Sequence, residues 1–584
     1  MTDYKAIYQT WLNSKELTSE QKTELIGIKD DDNEIKERFA AELQFGTAGM
    51  RGVLGMGPNR MNIFMVRRAT VGLAAFVESL GEEAKKRGVV ISYDTRRFSK
   101  KFAIECAKVL SAKKIASYLF EDVRPVPMCS FAVRETGAIA GIMITASHNP
   151  PAYNGYKVYG EDGAQMSPEA TAEVVKFIKK TDVFGLEVAD TLLTEDGIKG
   201  KDNFKADEYI TVIGRSLDEK YFAAIEKLSL SPDAIKAANG KVKIVYTPVH
   251  GSGYMPVMTI LKKIGIPVTV VPEQAEPDEN FSTVRVPNPE ESDTLKMAVE
   301  LAEKIGSNVV IGTDPDCDRM GIAVRDDNGK FVLLTGNQIG VLMMDYVLSV
   351  KKAEGILPKN AAVVKTIVTT DLARKVAAGY GAKTFDVLTG FKFIGEKIKE
   401  WETSGEYTYE FGFEESYGSL VGTHARDKDA VVASMIFAEM ACKYESEGTS
   451  VYDRLQEIFK KYGYYVEKGV SITFGGLDGF EKMTAIMQKI RSEIKTEFAG
   501  EKVESFSDYV LGVTTFAGGR TESISLPKTN AAFYRMANGD WMCVRPSGTE
   551  PKLKIYVSTS RPTLEDSKKA GEDLLHSIKT TFGI

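Results

Sequence analysis

The chain is poor in cysteine and histidine. Five cysteines (Cys106, Cys129, Cys317, Cys442 and Cys543) are scattered through 584 residues, with no CxxC among them. That pattern argues against a disulfide framework and a thiolate zinc site, and fits reduced thiols in the cytoplasm. No run of 18 apolar residues occurs, so no membrane span is expected, and the start "MTDYKAIYQTWLNSKEL" has no apolar signal core. The net charge is −6 with no large basic block, which disfavours nucleic acid as a partner. It leaves room for a small anion held in a local cationic pocket. There is no GxxxxGK[ST], and no β run leads into a GxGxxG, which disfavours a P-loop NTPase and a dinucleotide fold. What remains is an ordinary globular composition, 43% hydrophobic and 27% charged, long enough for about three to five domains.

A long-period repeat organises the chain. Residues 88–120, 240–272 and 361–390 each pass from a β-branched run through a polar turn and a helical pattern to a second β run. This is the βαβ unit, which favours parallel strands. After each unit comes a β run, a polar loop and another β run. The three loops are "TASHNPPAYNG" (145–155), "TDPDCDRMG" (313–321) and "FEESYGS" (413–419). Loops beyond the carboxyl ends of strands are where α/β sheets bind ligands. If the units face one another, the three loops meet in one cleft. The tail reads as a smaller α+β unit, so the expected division is 1–205, 206–325, 326–445 and 446–584.

Asp314, Asp316 and Asp318 alternate, and in an extended loop this spacing puts three carboxylates on one side. They repel unless a cation lies among them, and hard oxygen ligands favour Mg²⁺. An EF-hand fails, because its sixth and twelfth positions would be Arg319 and Arg325. A solvated acidic turn is the plainer reading. Ser147 lies outside any G-x-S-x-G elbow, and with Asn149 it could simply cap a turn before Pro150. Its place in the first of three equivalent loops favours phosphoryl transfer beside a metal. Glu414, Glu415 and Ser416 suit sugar hydroxyls, or a hairpin turn. "RPSGTEPK" (545–552) sets Arg545, Ser547 and Thr549 around Gly548, suited to phosphate or to a β-turn. "DTRRFSKK" (94–101) reads as a helix start with a solvated basic face.

At "TASHNP", "DPDCDR", "GFEESYG" and "RPSGTEPK", in that order and with "GTAGMRG" ahead of them, the chain closely resembles the α-D-phosphohexomutase superfamily, in particular its phosphoglucomutase/phosphomannomutase members. The resemblance spans essentially the whole sequence. It implies a heart-shaped four-domain enzyme, with three related mixed α/β domains and a distinct C-terminal α+β domain. It implies that Ser147 carries the phosphoryl group and that Ser147, Asp314, Asp316 and Asp318 hold Mg²⁺. Arg319 would help neutralise the phosphoserine, and Arg51 would lie near it. Lys157 matches the lysine proposed for acid–base work, with His148 close by. Glu414 and Ser416 match the sugar readers, Thr389, Gly390 and Phe391 a loop that orients the sugar, and Arg545, Ser547, Gly548 and Thr549 the distal phosphate anchor.

The sequence departs from the Gly-Glu-Met-Ser-Gly-His sugar loop of many members. The histidine of that loop is missing, which leaves His424 and Lys428 as substitutes. The pattern is nearer a branch that includes phosphoglucomutases and phosphopentomutases. The implied reaction interconverts glucose 1-phosphate and glucose 6-phosphate. Glucose 1,6-bisphosphate is the implied intermediate and activator, in a cytoplasmic monomer or weak dimer whose partners are small sugar phosphates. Mannose or pentose phosphates are alternative substrates. A sugar-phosphate phosphatase and a binding regulator are rivals of a different class.

Overall fold

The computed structural model describes residues 3–46, 49–191, 193–474, 479–547 and 552–584. The three βαβ units form as read. Strand Val89–Tyr93, helix Ser99–Ala112 and strand Ser117–Phe120 make the first, with the two strands parallel. Ile244–Thr247, Tyr254–Lys263 and Val268–Val270 make the second, and Ala361–Thr366, Leu372–Tyr380 and Lys383–Val387 the third. The first strand of each unit is rich in Val and Ile and buried on both faces, as a parallel strand between helices must be.

Each unit then adds an antiparallel hairpin to its sheet. The hairpins pair Ala140–Ile144 with Tyr153–Gly160, Val309–Thr313 with Met320–Arg325, and Thr408–Phe413 with Ser419–Val421. In each sheet the first hairpin strand runs parallel to the first strand of the βαβ unit. The loops at the hairpin tips therefore lie beyond the carboxyl ends of the parallel strands, on one side of each sheet.

The sheets overrun the expected divisions. Ile210–Ile213 pairs with Ser117–Phe120, so the first sheet continues past residue 205. Phe331–Leu334 pairs with Met320–Arg325, carrying the second past 325. Helix Val451–Tyr462 buries Leu455, Ile458 and Phe459 in the same core as helices Gly336–Ala353 and Ala430–Ser446, so it belongs with the third sheet rather than the tail. Its apolar stripe finds that core before the chain crosses to the fourth sheet at Tyr464. The fourth sheet is antiparallel, in the order Tyr464–Thr473, Lys552–Arg561, Trp541–Pro546, Ala532–Met536, Glu501–Asp508, Val513–Phe516, Thr521–Ser523. Helices Gly479–Ser492 and Leu564–Phe582 cover it over a separate core of Ile490, Tyr534, Ile555 and Ile578.

Three short helices, Tyr4–Leu12, Ser19–Gly27 and Asp32–Phe39, precede the first sheet. They close over Trp11, Phe39 and Phe64 in edge-to-face contacts. Among the described residues, no helix is long and apolar enough to cross a membrane.

Candidate active site

The first loop turns at Ser147, whose φ of +52° lies in the left-handed region. The Asn149 N–H closes the turn on the Ala146 carbonyl at 3.1 Å. Ser147 is 5% exposed, and its hydroxyl donates to Asp314 Oδ2 at 2.9 Å across the junction of the first two units. His148 Nδ1 is 3.3 Å from the same hydroxyl. Burial and the charges of Arg319 and Arg51 push His148 down to about 2, so its ring is neutral.

The second loop corrects the expected geometry. The three aspartates converge on a tight turn, not an extended segment. The Cys317 N–H returns to the Asp314 carbonyl at 2.9 Å, and Cys317 is itself left-handed with φ +49°. Asp314 Oδ1 accepts the N–H groups of Asp318 and Arg319 at 3.1 and 3.0 Å, which turns the chain back under the carboxylates. Behind the turn, the Ser252 N–H and hydroxyl donate to the Pro315 carbonyl at 2.8 and 2.7 Å. Gly251 permits this approach, since a Cβ there would stand 2.6 Å from the Pro315 Cα.

One oxygen from each of Asp314, Asp316 and Asp318 lies within 4.8 Å of the others, and all three residues are buried. Asp316 Oδ1 and Asp318 Oδ1 are buried without a hydrogen-bond partner. Orphaned oxygens in a buried three-carboxylate cluster, with a serine hydroxyl alongside, fit a hard divalent cation. Burial and mutual repulsion hold Asp314 well above the ordinary carboxylate range and Asp318 above it. Burial opposes ionisation of Asp316 as well, but the Lys157 ammonium keeps it below that range.

Two lysines flank the triad. Lys157 Nζ lies 2.8 Å from Asp316 Oδ2 and 3.6 Å from Asp318 Oδ2. Burial would lower its pKa, but these carboxylates overcome burial and raise it. Lys428 Nζ lies 3.1 Å from Asp318 Oδ2 and 3.2 Å from Asp427. The Lys428 side chain lies across Gly418, where an added Cβ would meet its Cδ at 2.0 Å. Of the two substitutes considered for the missing histidine, Lys428 reaches the cluster. His424 instead bonds Asp429 at 2.7 Å, beside the Tyr221 ring.

The third loop closes the cleft. Arg319 forms a β-bridge with Gly418, and its guanidinium pairs with Glu290 at 2.8 Å. Glu414 Oε1 accepts the Gly390 N–H at 3.0 Å, which joins the loop of Thr389, Gly390 and Phe391 to the Glu414–Ser416 tip. The Phe391 ring lies 5.7 Å below Lys428 Nζ. Burial pushes Glu414 up to about 7, against the pull of Lys428. Glu415 is held by the hydroxyls of Thr366 and Thr369, each at 3.1 Å. Tyr417 is left-handed, with φ +69°. Arg51 sits on the strand beside the first loop and donates to Asn149 Oδ1 at 3.0 Å.

In the fourth unit, Arg545 lies one residue before the end of strand Trp541–Pro546, and the Ser547 N–H bonds the Lys552 carbonyl at 2.7 Å. Gly548 and Thr549 lie outside the described residues. Two residues given no role in the sequence belong here. Lys554 is the cross-strand partner of Arg545, so both side chains leave one face of the sheet. The period-2 pattern of "KLKIYV" carries that signal. Arg96, read as part of a solvated helix start, is buried at 3% exposure and donates to the Ser147 carbonyl at 2.5 Å. Arg97 and Lys101, in the same basic run, are exposed as expected.

Residues 42–183, 219–329 and 335–462 match domains I, II and III of the phosphoglucomutase/phosphomannomutase family, each described as alpha/beta/alpha. Similar curated proteins include a phosphoglucomutase of Staphylococcus epidermidis, 37% identical over 529 residues, covering 90% of this chain and 92% of the relative. One of Staphylococcus aureus is 36% identical over 538 residues, covering 92% and 93%. Among solved structures, the Paramecium phosphoglucomutase pp63/parafusin in its open form aligns with a TM-score of 0.66 at 18% identity, over 93% of this chain and all but 3% of that one, which is 97% covered. A phosphoglucomutase/phosphomannomutase family protein of Burkholderia thailandensis aligns with a TM-score of 0.64 at 16% identity, covering 92% and 97%.

Proposed function

The chain belongs to the phosphoglucomutase/phosphomannomutase family of the α-D-phosphohexomutase superfamily, and from that premise we propose how its cleft works as a phosphoglucomutase, an isomerase that moves phosphate within glucose. The observation that carries the reading is the Ser147 hydroxyl, buried 2.9 Å from Asp314 at the edge of a three-carboxylate cluster.

Ser147 is the phosphoryl carrier. Phospho-Ser147 donates to the free hydroxyl of glucose 1-phosphate, and the resulting glucose 1,6-bisphosphate turns over in the cleft. Its other phosphate then returns to Ser147, leaving glucose 6-phosphate. Asp314, Asp316 and Asp318, with the serine oxygen, would hold Mg²⁺, which when bound neutralises charge on the transferring phosphoryl group. Lys157, kept protonated by Asp316 and Asp318, holds a proton at Nζ for the sugar oxygen that loses its phosphoryl group. His148 and Arg51 line the serine side, and Arg319 offers its charge to the phosphoserine. Glu414 and Ser416 accept and donate to sugar hydroxyls, Thr389, Gly390 and Phe391 set the edge of that subsite, and Lys428 lies between subsite and triad. The Arg545 loop, with Ser547, Gly548, Thr549 and Lys554, holds whichever phosphate is remote. The rest of catalysis is positioning.

A coupled assay on glucose 1-phosphate tests this against a phosphatase. Glucose 6-phosphate should form with no stoichiometric free phosphate, and turnover should need catalytic glucose 1,6-bisphosphate or prior phosphorylation. Free phosphate as the main product would overturn the mutase reading. Mannose, glucosamine and ribose 1-phosphates run alongside would rank the substrates.

Glu414 adds a pH signature. Its neutral form is the weaker acceptor for sugar hydroxyls, so KM for glucose 1-phosphate should fall as pH rises through about 7. The Glu414→Gln variant should lose that limb and bind about tenfold more weakly at pH 8. Folding has the opposite sign. A carboxyl raised in the folded state favours folding while it stays protonated there, so its share of stability is lost as pH rises from the ordinary glutamate range toward 7. An unchanged KM–pH profile in Glu414→Gln would remove Glu414 from the sugar subsite.

A further inference from the structure

Arg96 makes an unusual set of contacts for a buried arginine. Its side chain is fully buried, and its terminal nitrogens go to backbone carbonyls of one short segment. Nη2 donates to the carbonyls of Ser147 and Asn149, each at 2.5 Å. Nη1 donates to those of Pro150 and Tyr153 at 3.0 and 3.1 Å. The guanidinium plane lies against the Phe281 ring of the second unit, 5.0 Å from its centroid. Its counter-ion is Asp94, with Nε 3.4 Å from Oδ2.

Asp94 acts on the other side of Ser147. Its Oδ1 accepts the Ser99 hydroxyl at 2.7 Å and the Arg96 N–H at 2.9 Å. Its Oδ2 accepts the Thr145 hydroxyl at 2.7 Å, and the Thr145 oxygen accepts the Ser147 N–H at 2.8 Å. The peptide plane before Ser147 is thus tied to Asp94 through Thr145, and the plane after it is tied to Arg96. With both planes held, φ and ψ of Ser147 are set, and the left-handed φ of +52° is locked in. The remaining freedom of the hydroxyl is rotation about Cα–Cβ.

We propose that Arg96, with Asp94 and Thr145, is a positioning unit that clamps both peptide planes of Ser147 and aims its oxygen for phosphoryl transfer. Planar geometry is what the fan of carbonyls needs, so a lysine would keep the charge and lose the fan. The proposal rests on Ser147 as phosphoryl carrier, and the experiment keeps the two apart.

Arg96→Ala, Arg96→Lys, Thr145→Val and Ser147→Ala would be compared for kcat, KM and thermal unfolding. A misaimed nucleophile should lower kcat in Arg96→Ala about 100-fold, with KM for glucose 1-phosphate within about threefold of wild type. Arg96→Lys and Thr145→Val should each lose about tenfold in kcat. Methylguanidine should restore part of the activity of Arg96→Ala and none to Ser147→Ala. Folded Arg96→Lys and Thr145→Val proteins that both turn over like wild type, with Ser147→Ala inactive, would overturn the clamp alone. A KM that rises as far as kcat falls would overturn it too, by marking collapse of the site. If Arg96→Ala does not fold, the other two variants decide by the same criteria. Wild-type turnover in Ser147→Ala would instead overturn the carrier reading.

Discussion

Ser147→Ala should lower kcat by ~10⁴-fold or more, because a missing nucleophile leaves only binding and charge stabilisation behind. A serine that merely capped the turn would cost far less, since its backbone is held by Thr145 and Arg96 independently of its hydroxyl. Intact-mass measurement gives a second readout. Wild-type protein incubated with glucose 1,6-bisphosphate should gain one phosphate that maps to Ser147, and the alanine variant should gain none. A phosphate on another residue, or turnover near wild type in the variant, would remove the covalent route. Asp314 accepts the Ser147 hydroxyl and is buried at the heart of the triad, so thermal unfolding should be run alongside to show that the variant keeps its fold.

Asp316→Asn should be the next most damaging change. Asp316 has one oxygen on Lys157 at 2.8 Å and the other buried without a hydrogen-bond partner. The substitution therefore weakens a cation site and loosens the lysine together. Mg²⁺ affinity, read by calorimetry without substrate, should drop at least tenfold. Activity should fall about 10³-fold even at saturating Mg²⁺, because the proton-handling lysine loses its main partner. Lys157→Met in the same assays should retain metal binding better than Asp316→Asn. An Asp316→Asn protein with unchanged Mg²⁺ affinity would exclude this carboxylate from the metal site.

The repeat was legible because parallel strands carry dense β-branched runs, and because each hairpin loop has polar chemistry that a buried sheet cannot hold. That periodicity put Ser147, the aspartate triad and the Glu414 tip at equivalent places, and their meeting in one cleft rested on the units facing one another. The position of the third junction was not legible. Helix Val451–Tyr462 is amphipathic in isolation, and only its burial beside Gly336–Ala353 assigns it. Arg96 was hidden for another reason. Its partners are main-chain carbonyls, which every residue carries, so no residue pattern marks them. The triad was found with the wrong backbone, because i, i+2 spacing also suits a turn in which Asp314 caps its own loop. The Lys428–Asp318 pair joins residues more than 100 positions apart and needed coordinates.

Ser147, Cys317 and Tyr417 share one property: each is a non-glycine residue with positive φ at the tip of its hairpin, in three different units. Such a conformation costs on the order of 1–3 kcal/mol per residue and persists only where surroundings enforce it. Ser147 is held from within its own unit, but at Cys317 and Tyr417 much of the enforcement comes from neighbouring units. The Ala430 N–H binds the Cys317 carbonyl at 3.2 Å, the Val126 N–H binds the Asp316 carbonyl at 3.0 Å, and the Met320 N–H binds the Tyr417 carbonyl at 3.0 Å. The second or third unit expressed alone would therefore relax at its tip, whereas the first carries its own clamp on Ser147. Catalytic competence should arrive late in folding, after the units dock, and should be the first property surrendered when they separate.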